Sequence, residues 1–314
     1  MIRTRINELL GIEYPVFQGG MAWIADGKLA ASVSEGGGLG IIAAGNAPAD
    51  YVREQIRIAR SITDKPFGVN VMLMSPFADE VAKVIAEEKV AVVTTGAGNP
   101  LKYMKAWKAA GVKMIPVVAS VAMAKLMVRV GAEALIAEGT ESGGHVGELT
   151  TMALVPQVCD AVDLPVIAAG GVADGRGMAA AFMLGAEGVQ MGTRFLLADE
   201  CSIHENYKQR LLKAKDLDTI VTGRRQGHPV RGLKTPFTRE YAKLEYTDIS
   251  DEELEKKGEG ALRAAVQDGD AENGSFLAGQ VAAMLSKEQP AAEILKEVCE
   301  EAEKYLKEGA KWVK

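Results

Sequence analysis

The sequence predicts a (β/α)8 TIM barrel of the α/β class, with an insertion or small second domain after its eighth strand. Three observations carry this. Eight short apolar or β-branched runs recur at 15–18, 39–43, 67–71, 90–94, 114–118, 133–137, 165–169 and 188–191. An amphipathic, often Ala-rich stretch follows each of the first seven, at 26–36, 48–62, 77–88, 101–110, 121–130, 150–162 and 174–184. From residue 199 to 273 the alternation gives way to polar, charge-dense, irregular sequence.

Each element has its own reason. Near-continuous apolar runs are what a parallel strand needs when helices cover both of its faces. The helical stretches open near Pro or Asp, as at Asp26, Pro48 and Asp174, residues suited to the first turn of a helix. An open doubly wound sheet shares this pattern, but eight units between residues 15 and 192 favour closure. The chain then divides into the main part of the barrel (1–198), a basic insertion (199–273) and C-terminal helices completing the barrel (274–314), with helical sequence resuming near Asn273. Residues 289–314 read as a solvated outer helix with acidic and basic side chains at helical spacing.

The 314 residues are 48% hydrophobic and 25% charged, as in a globular protein. A net charge of −6 repels nucleic acid and anionic membranes. Cys159, Cys201 and Cys299 form no CxxC pair, which disfavours a disulfide framework and a zinc knuckle and fits a reducing cytoplasm. No signal-like apolar segment follows the basic residues of the first turn, and no charge-free stretch reaches the ~18 residues of a membrane span. A cytoplasmic protein is expected.

Ligands of such barrels bind at the C-terminal ends of the strands. Those ends read Gly19-Gly20-Met21, Ala44-Gly45-Asn46, Asn70, Thr95-Gly96-Ala97-Gly98-Asn99, Ser120, Glu138-Gly139, Gly170-Gly171 and Gly192-Thr193. Small residues and amides there leave a flat, backbone-lined floor for a planar ligand. The loops after strands seven and eight, AAGGVADG and QMGTRF, sit where backbone N–H groups and a helix N-terminus commonly hold a phosphate. A phosphate beside a planar ring points to FMN. Two GxGxxA matches, Gly38-Gly40-Ala43 and Gly175-Gly177-Ala180, lack the strand-turn-helix context of a dinucleotide fold. No GxxxxGK[ST], HExxH or GxSxG motif is present.

The segment Glu138–Gly147 is the most unusual. It carries His145 behind Gly143 and Gly144 on the predicted ligand face, where an imidazole can act as acid or charge stabiliser near neutral pH. His204 and His228 lie in the insertion and read as surface or core residues. Between Ile203 and Lys243 ten Lys/Arg stand against four Asp/Glu. That reversal on an acidic protein suits either a solvated surface or the docking of an acidic macromolecule.

Six segments, FQGGMAWIADGKLAASVSEGGGLGII, DKPFGVNVMLMSPF, VVTTGAGNP, IAEGTESGGHVG, VIAAGGVADGRG and GVQMGTRF, resemble in order and spacing the FMN-dependent enoyl-acyl-carrier-protein reductase II family. That family is a branch of the nitronate monooxygenase-like flavin barrels. The resemblance covers essentially the whole chain, with NGSFLAGQ a loose match near the C-terminus. It implies flavin contacts from Gly20, Met21, Ala22 and Asn70, with Glu138, Gln190 and Met191 lining the site and Gly143 and Gly144 beside it. It implies phosphate contacts from Gly170, Gly171, Gly192 and Thr193, and His145 as the active-site histidine.

The resemblance further implies NADH or NADPH as electron donor and a monovalent cation, for which the sequence singles out no ligands. The implied reaction reduces a trans-2-enoyl thioester on acyl carrier protein in fatty-acid elongation, with Arg224, Arg225 and Arg231 as candidate carrier contacts. A homodimer is expected. Alternatives on the same scaffold are a nitronate monooxygenase, an NAD(P)H:quinone reductase and a non-catalytic FMN or phosphate binder.

Overall fold

A computed structural model describes residues 2–313. The strands in chain order are β1 (Val16–Gln18), β2 (Ile41–Ala43), β3 (Gly68–Met72), β4 (Val92–Gly96), β5 (Lys113–Val118), β6 (Leu135–Glu138), the two-residue β7 (Gly144–His145), β8 (Val166–Ala169), β9 (Gly188–Met191), β10 (Thr219–Thr222) and β11 (Val230–Leu233). Eight of them pair in parallel in the order β1-β9-β8-β6-β5-β4-β3-β2. Each of the eight predicted runs supplies one. The helices are α1 (Arg5–Leu10), α2 (Gly27–Glu35), α3 (Ala49–Ile62), α4 (Ala78–Glu87), α5 (Met104–Ala109), α6 (Val121–Val130), α7 (Thr151–Ala161), α8 (Gly175–Met183), α9 (Glu205–Leu212), α10 (Pro236–Leu244), α11 (Asp251–Gly258), α12 (Ala261–Arg263) and α13 (Ala291–Glu308).

The barrel closes at a short seam between β1 and β2. Leu39 N donates to Val16 O and Gln18 N to Leu39 O. Two residues further along, at Ile41, a side chain replaces the main chain: Gln18 Oε1 accepts from Ile41 N at 3.1 Å, and Gln18 Nε2 donates to Ile41 O at 3.2 Å. The fully buried amide thus acts as an extra peptide group between two diverging strands.

Phe17, Leu39, Ile41, Val92, Ile115, Ile136 and Ile167 fill the barrel interior, and Ile6 and Leu10 of α1 join them. The Thr4 capping box starts α1, and Thr4 Oγ1 donates to Glu187 O, tying it to the residue before β9. A second apolar shell lies between strands and helices. In α13, Ala291, Ile294, Leu295, Val298, Cys299 and Ala302 are buried at helical spacing, so the expected solvated helix is solvated on one face only. Its other face packs on α8, where Gly175 leaves room for the backbone at Ala302.

Helix does not resume at Asn273. Residues 274–290 form an irregular strap with a single 3-10 segment, Gln280–Met284. The reason lies in its partners: Gly279 N donates to Thr193 Oγ1 at 2.9 Å, and Gln280 N to Glu141 O at 2.9 Å. The polar insertion is structured as well. It holds α9 to α12, the β10–β11 hairpin and a small core of Phe237, Tyr241, Leu254 and Ala261.

Replacing Gln18 by Leu strands both Ile41 main-chain groups in a dry seam. A loss of about 2–4 kcal/mol is expected from urea unfolding; unchanged stability would show that the seam does not depend on the amide.

Candidate active site

The floor of the site comes from β1, β3 and β9. A Cβ on Gly20 would lie 2.5 Å from Asn70 Cβ, and one on Gly19 would lie 3.1 Å from the Gln190 amide carbon. Asn70 Nδ2 donates to Thr94 Oγ1 at 2.9 Å, which fixes the amide's orientation. Met21 Sδ approaches Gly192, and Ala22 approaches Gly45. Gly20, Met21, Ala22, Asn70, Gln190 and Gly192 therefore form one continuous surface at the strand ends.

Met191 is a correction. Its side chain is 1% exposed and belongs to the shell between barrel and helices. Neighbours along a strand point to opposite faces, so with Gln190 toward Gly19 the Met191 side chain cannot line the same surface.

The loops after β8 and β9 supply hydrogen-bond donors. Gly170 (φ +86°) and Gly171 (φ +73°) take left-handed backbone that only glycine adopts freely. Among the described residues, the N–H groups of Gly171, Gly192 and Thr193 have no acceptor. The nearby N-terminus of α8 is already closed: Asp174 Oδ1 accepts from Arg176 N and Gly177 N, and Glu301 Oε2 accepts from Gly175 N. The unpaired donors at this place are therefore loop amides, while the first amides of α8 already have acceptors. Thr193 Oγ1 accepts from the strap and keeps its own proton free to donate.

On the β6 side, loss of water pushes the Glu138 carboxyl up to about 7, and the nearby Ser142 hydroxyl acts the other way although it does not reach hydrogen-bond geometry with the carboxyl. Ser142 Oγ is itself buried without a hydrogen-bond partner. Glu141, which the sequence did not single out, organises this side. Its carboxylate accepts from Thr151 N and Thr151 Oγ1 at 2.9 Å, filling the place of a cap at the start of α7, where Thr150 makes no side-chain cap. Gly143 faces the strap, since a Cβ there would meet Ala278 at 2.7 Å. Gly144, at φ +76°, has open space around it.

His145 sits in a three-stranded sheet of order β10-β11-β7. It pairs with Val230 and Gly144 with Arg231, and Val146 N donates to Pro229 O at 3.0 Å. Burial first, then the charge of His228, holds the His145 imidazole below its ordinary value, although the residue as a whole is exposed.

Two of the three arginines expected to meet a carrier protein hydrogen-bond within the chain, Arg231 as a buried residue and Arg225 as an exposed one. Arg231 is 7% exposed; its Nε and Nη2 donate to Thr140 O, and its Nη1 to Thr219 Oγ1. Arg225 Nη1 and Nη2 donate to Thr247 O and Ile249 O, and its Nε pairs with Asp251. Both close backbone turns, which exposed arginines in a polar insertion were not expected to do. Arg224 remains exposed, 3.6 Å from Glu148.

The sequence profile of the nitronate monooxygenase family matches residues 3–88 and 77–301. The chain belongs to that family. FabK from Thermotoga maritima superposes with a TM-score of 0.97 at 50% identity over 100% of both chains. A probable nitronate monooxygenase of Staphylococcus aureus (strain JH9) is 34% identical over 88% of this chain and 91% of its own. The (3aS,4S,5R,7aS)-5-hydroxy-7a-methyl-1-oxo-octahydro-1H-indene-4-carboxyl-CoA dehydrogenase of Rhodococcus jostii (strain RHA1) is 41% identical over 74% of this chain. That match spans 66% of the dehydrogenase, just under two thirds of its length. The protein is an oxidoreductase on a TIM barrel.

Glu138 gives a pH dependence of stability. Its pKa rises on folding from 4.5 to about 7, so within that window the folded chain holds a proton the unfolded chain has lost. This group's contribution therefore falls as pH rises through the window. Urea midpoints between pH 4.5 and 7.5 should fall less steeply with pH in Glu138→Gln than in the parent; identical slopes would refute the burial argument.

Proposed function

We propose that the protein reduces trans-2-enoyl thioesters carried on acyl carrier protein, using NADH or NADPH through bound FMN. The observation that carries this reading is the meeting, at one barrel mouth, of an amide and glycine floor, unpaired loop N–H groups and a sheet-held histidine. The whole-chain likeness to FabK and the reductase II sequence motifs support the choice of substrate class.

The residues fit FMN. Gly20, Met21, Ala22 and Asn70 form a floor for the ring, with the Gln190 amide beside it. The free N–H groups of Gly171, Gly192 and Thr193, next to Gly170, suit its phosphate. FMN held there would supply the hydride transfer that no side chain can provide.

The chain's own residues handle charge and protons. Reduction of an enoyl thioester builds negative charge on the thioester oxygen and ends with a proton on the α-carbon. His145, held below its ordinary pKa, is neutral near pH 7 and offers an N–H to that oxygen or, when protonated, a proton. Glu138, poised near 7, keeps a full negative charge from building beside the ring. With Arg231 buried, a carrier contact in the basic insertion falls to the exposed Arg224 and Arg225. For the implied cation, no cluster of three His, Cys, Asp or Glu able to hold a metal stands among the described residues.

The second reading is a nitronate monooxygenase, favoured by the family profile and the Staphylococcus aureus relatives. Anaerobic absorption spectra decide between them. NAD(P)H should bleach the flavin band, and a short trans-2-enoyl thioester should restore it. A band that NAD(P)H leaves intact but an alkyl nitronate bleaches would replace the proposal. His145→Ala should slow restoration by roughly 10²–10⁴-fold and leave bleaching nearly unchanged; equal restoration would remove His145 from the mechanism.

A further inference from the structure

The sheet that holds His145 brings a second histidine to it. In the β7–β11 ladder, residues directly opposite are His145 with Val230 and Gly144 with Arg231. The bond from Val146 N to Pro229 O carries the register one step further; continued once more, beyond the strand ends, it would bring Gly147 level with His228. His145, Gly147, Val230 and His228 therefore share one face of the sheet, since side chains alternate along each strand. His228 is the diagonal neighbour of His145, about 7–8 Å away between backbones and within reach of long side chains. Gly147 puts no side chain on that face, where a Cβ would meet Ala119 Cβ at 2.9 Å.

The turn that carries His228 is built to hold it there. Gly223 (φ +79°) and Gly227 (φ +75°) take left-handed backbone, and His228 N donates to Gly223 O. His228 is exposed to water, while His145 lies at the mouth the substrate would cover. The other charged groups around the pair are already engaged. Arg224 lies 3.6 Å from Glu148, Arg225 is bound to the 247–251 turn, Arg231 points to the opposite face and bonds Thr140 O, and Glu141 accepts from Thr151.

We propose that His228 is the outer member of a two-imidazole proton relay, taking a proton from bulk water or buffer and passing it to His145, directly or through one water. The proposal rests on the reductase reading above and adds the source of its proton. In each turnover one proton moves from a solvent acid to His228, from His228 to His145 and from His145 to the substrate α-carbon. Both imidazoles are then neutral again, and the two electrons come from NAD(P)H. Burial is the larger cause of the lowered His145 pKa, and the smaller contribution of His228 agrees with two rings at this separation.

The chain contains three histidines, so ring-labelled NMR resolves each one, with His204 as internal control. In flavin-loaded protein, His228→Gln should raise the His145 midpoint by about half a unit and leave His204 in place. His228→Ala should slow the enoyl-dependent return of the flavin band by roughly tenfold, leave bleaching by NAD(P)H unchanged, and regain its rate with added imidazole. An unmoved His145 midpoint overturns the proposal, as does an undiminished rate or a loss that imidazole does not repair. If the parent protein shows the paired titration but reduces no enoyl thioester, the substrate assignment fails and the pairing stands.

Discussion

The site depends on the contact between β11 and the loop after β6. That loop is rich in glycine, and a free chain of this composition would lose much conformational entropy on taking one shape. Pairing with β11 turns part of it into a sheet, and the Arg231 guanidinium fixes its root at Thr140 O. This anchor is costly. Burial, followed by the neighbouring Arg224 charge, presses the Arg231 pKa down, with Glu141 pushing the other way. A buried cation persists only where hydrogen bonds replace its water, and Thr140 O and Thr219 Oγ1 do so here.

The strap applies the same logic from the other side. Its Gly279 and Gln280 amides bond to the β9 and β6 loops, so one segment links the proposed phosphate loop to the Glu138–His145 loop. Gly143 and Gly279 let the two backbones approach more closely than any Cβ would allow. At the end of β6 the partly buried Glu138 carboxyl has lost enough of its water to resist ionisation.

Most of the barrel was legible because its signals are local. Strands covered on both faces must be apolar throughout, and caps such as Asp26, Ser120 and Asp174 lie directly before their helices. The floor was legible because glycines at strand ends are uncommon without a reason. What escaped depends on partners distant in sequence. Arg231 and Thr140 are 91 residues apart, so a buried anchor looked like a surface charge. Gln18 passed for an ordinary strand residue, and Glu141 for an ordinary loop acid. The role of Met191 was decidable from strand alternation alone, and the family resemblance overrode it. His228 read as surface or core because only the ladder register places it beside His145.

The central claim is that the β11 contact orders the His145 loop, and amide hydrogen exchange in Arg231→Met tests it directly. Removing the guanidinium should speed exchange at the Val146 amide by at least about tenfold while the amides of β8 and β9 keep their protection. Unchanged protection at Val146, or equal loosening throughout the barrel, would contradict the claim.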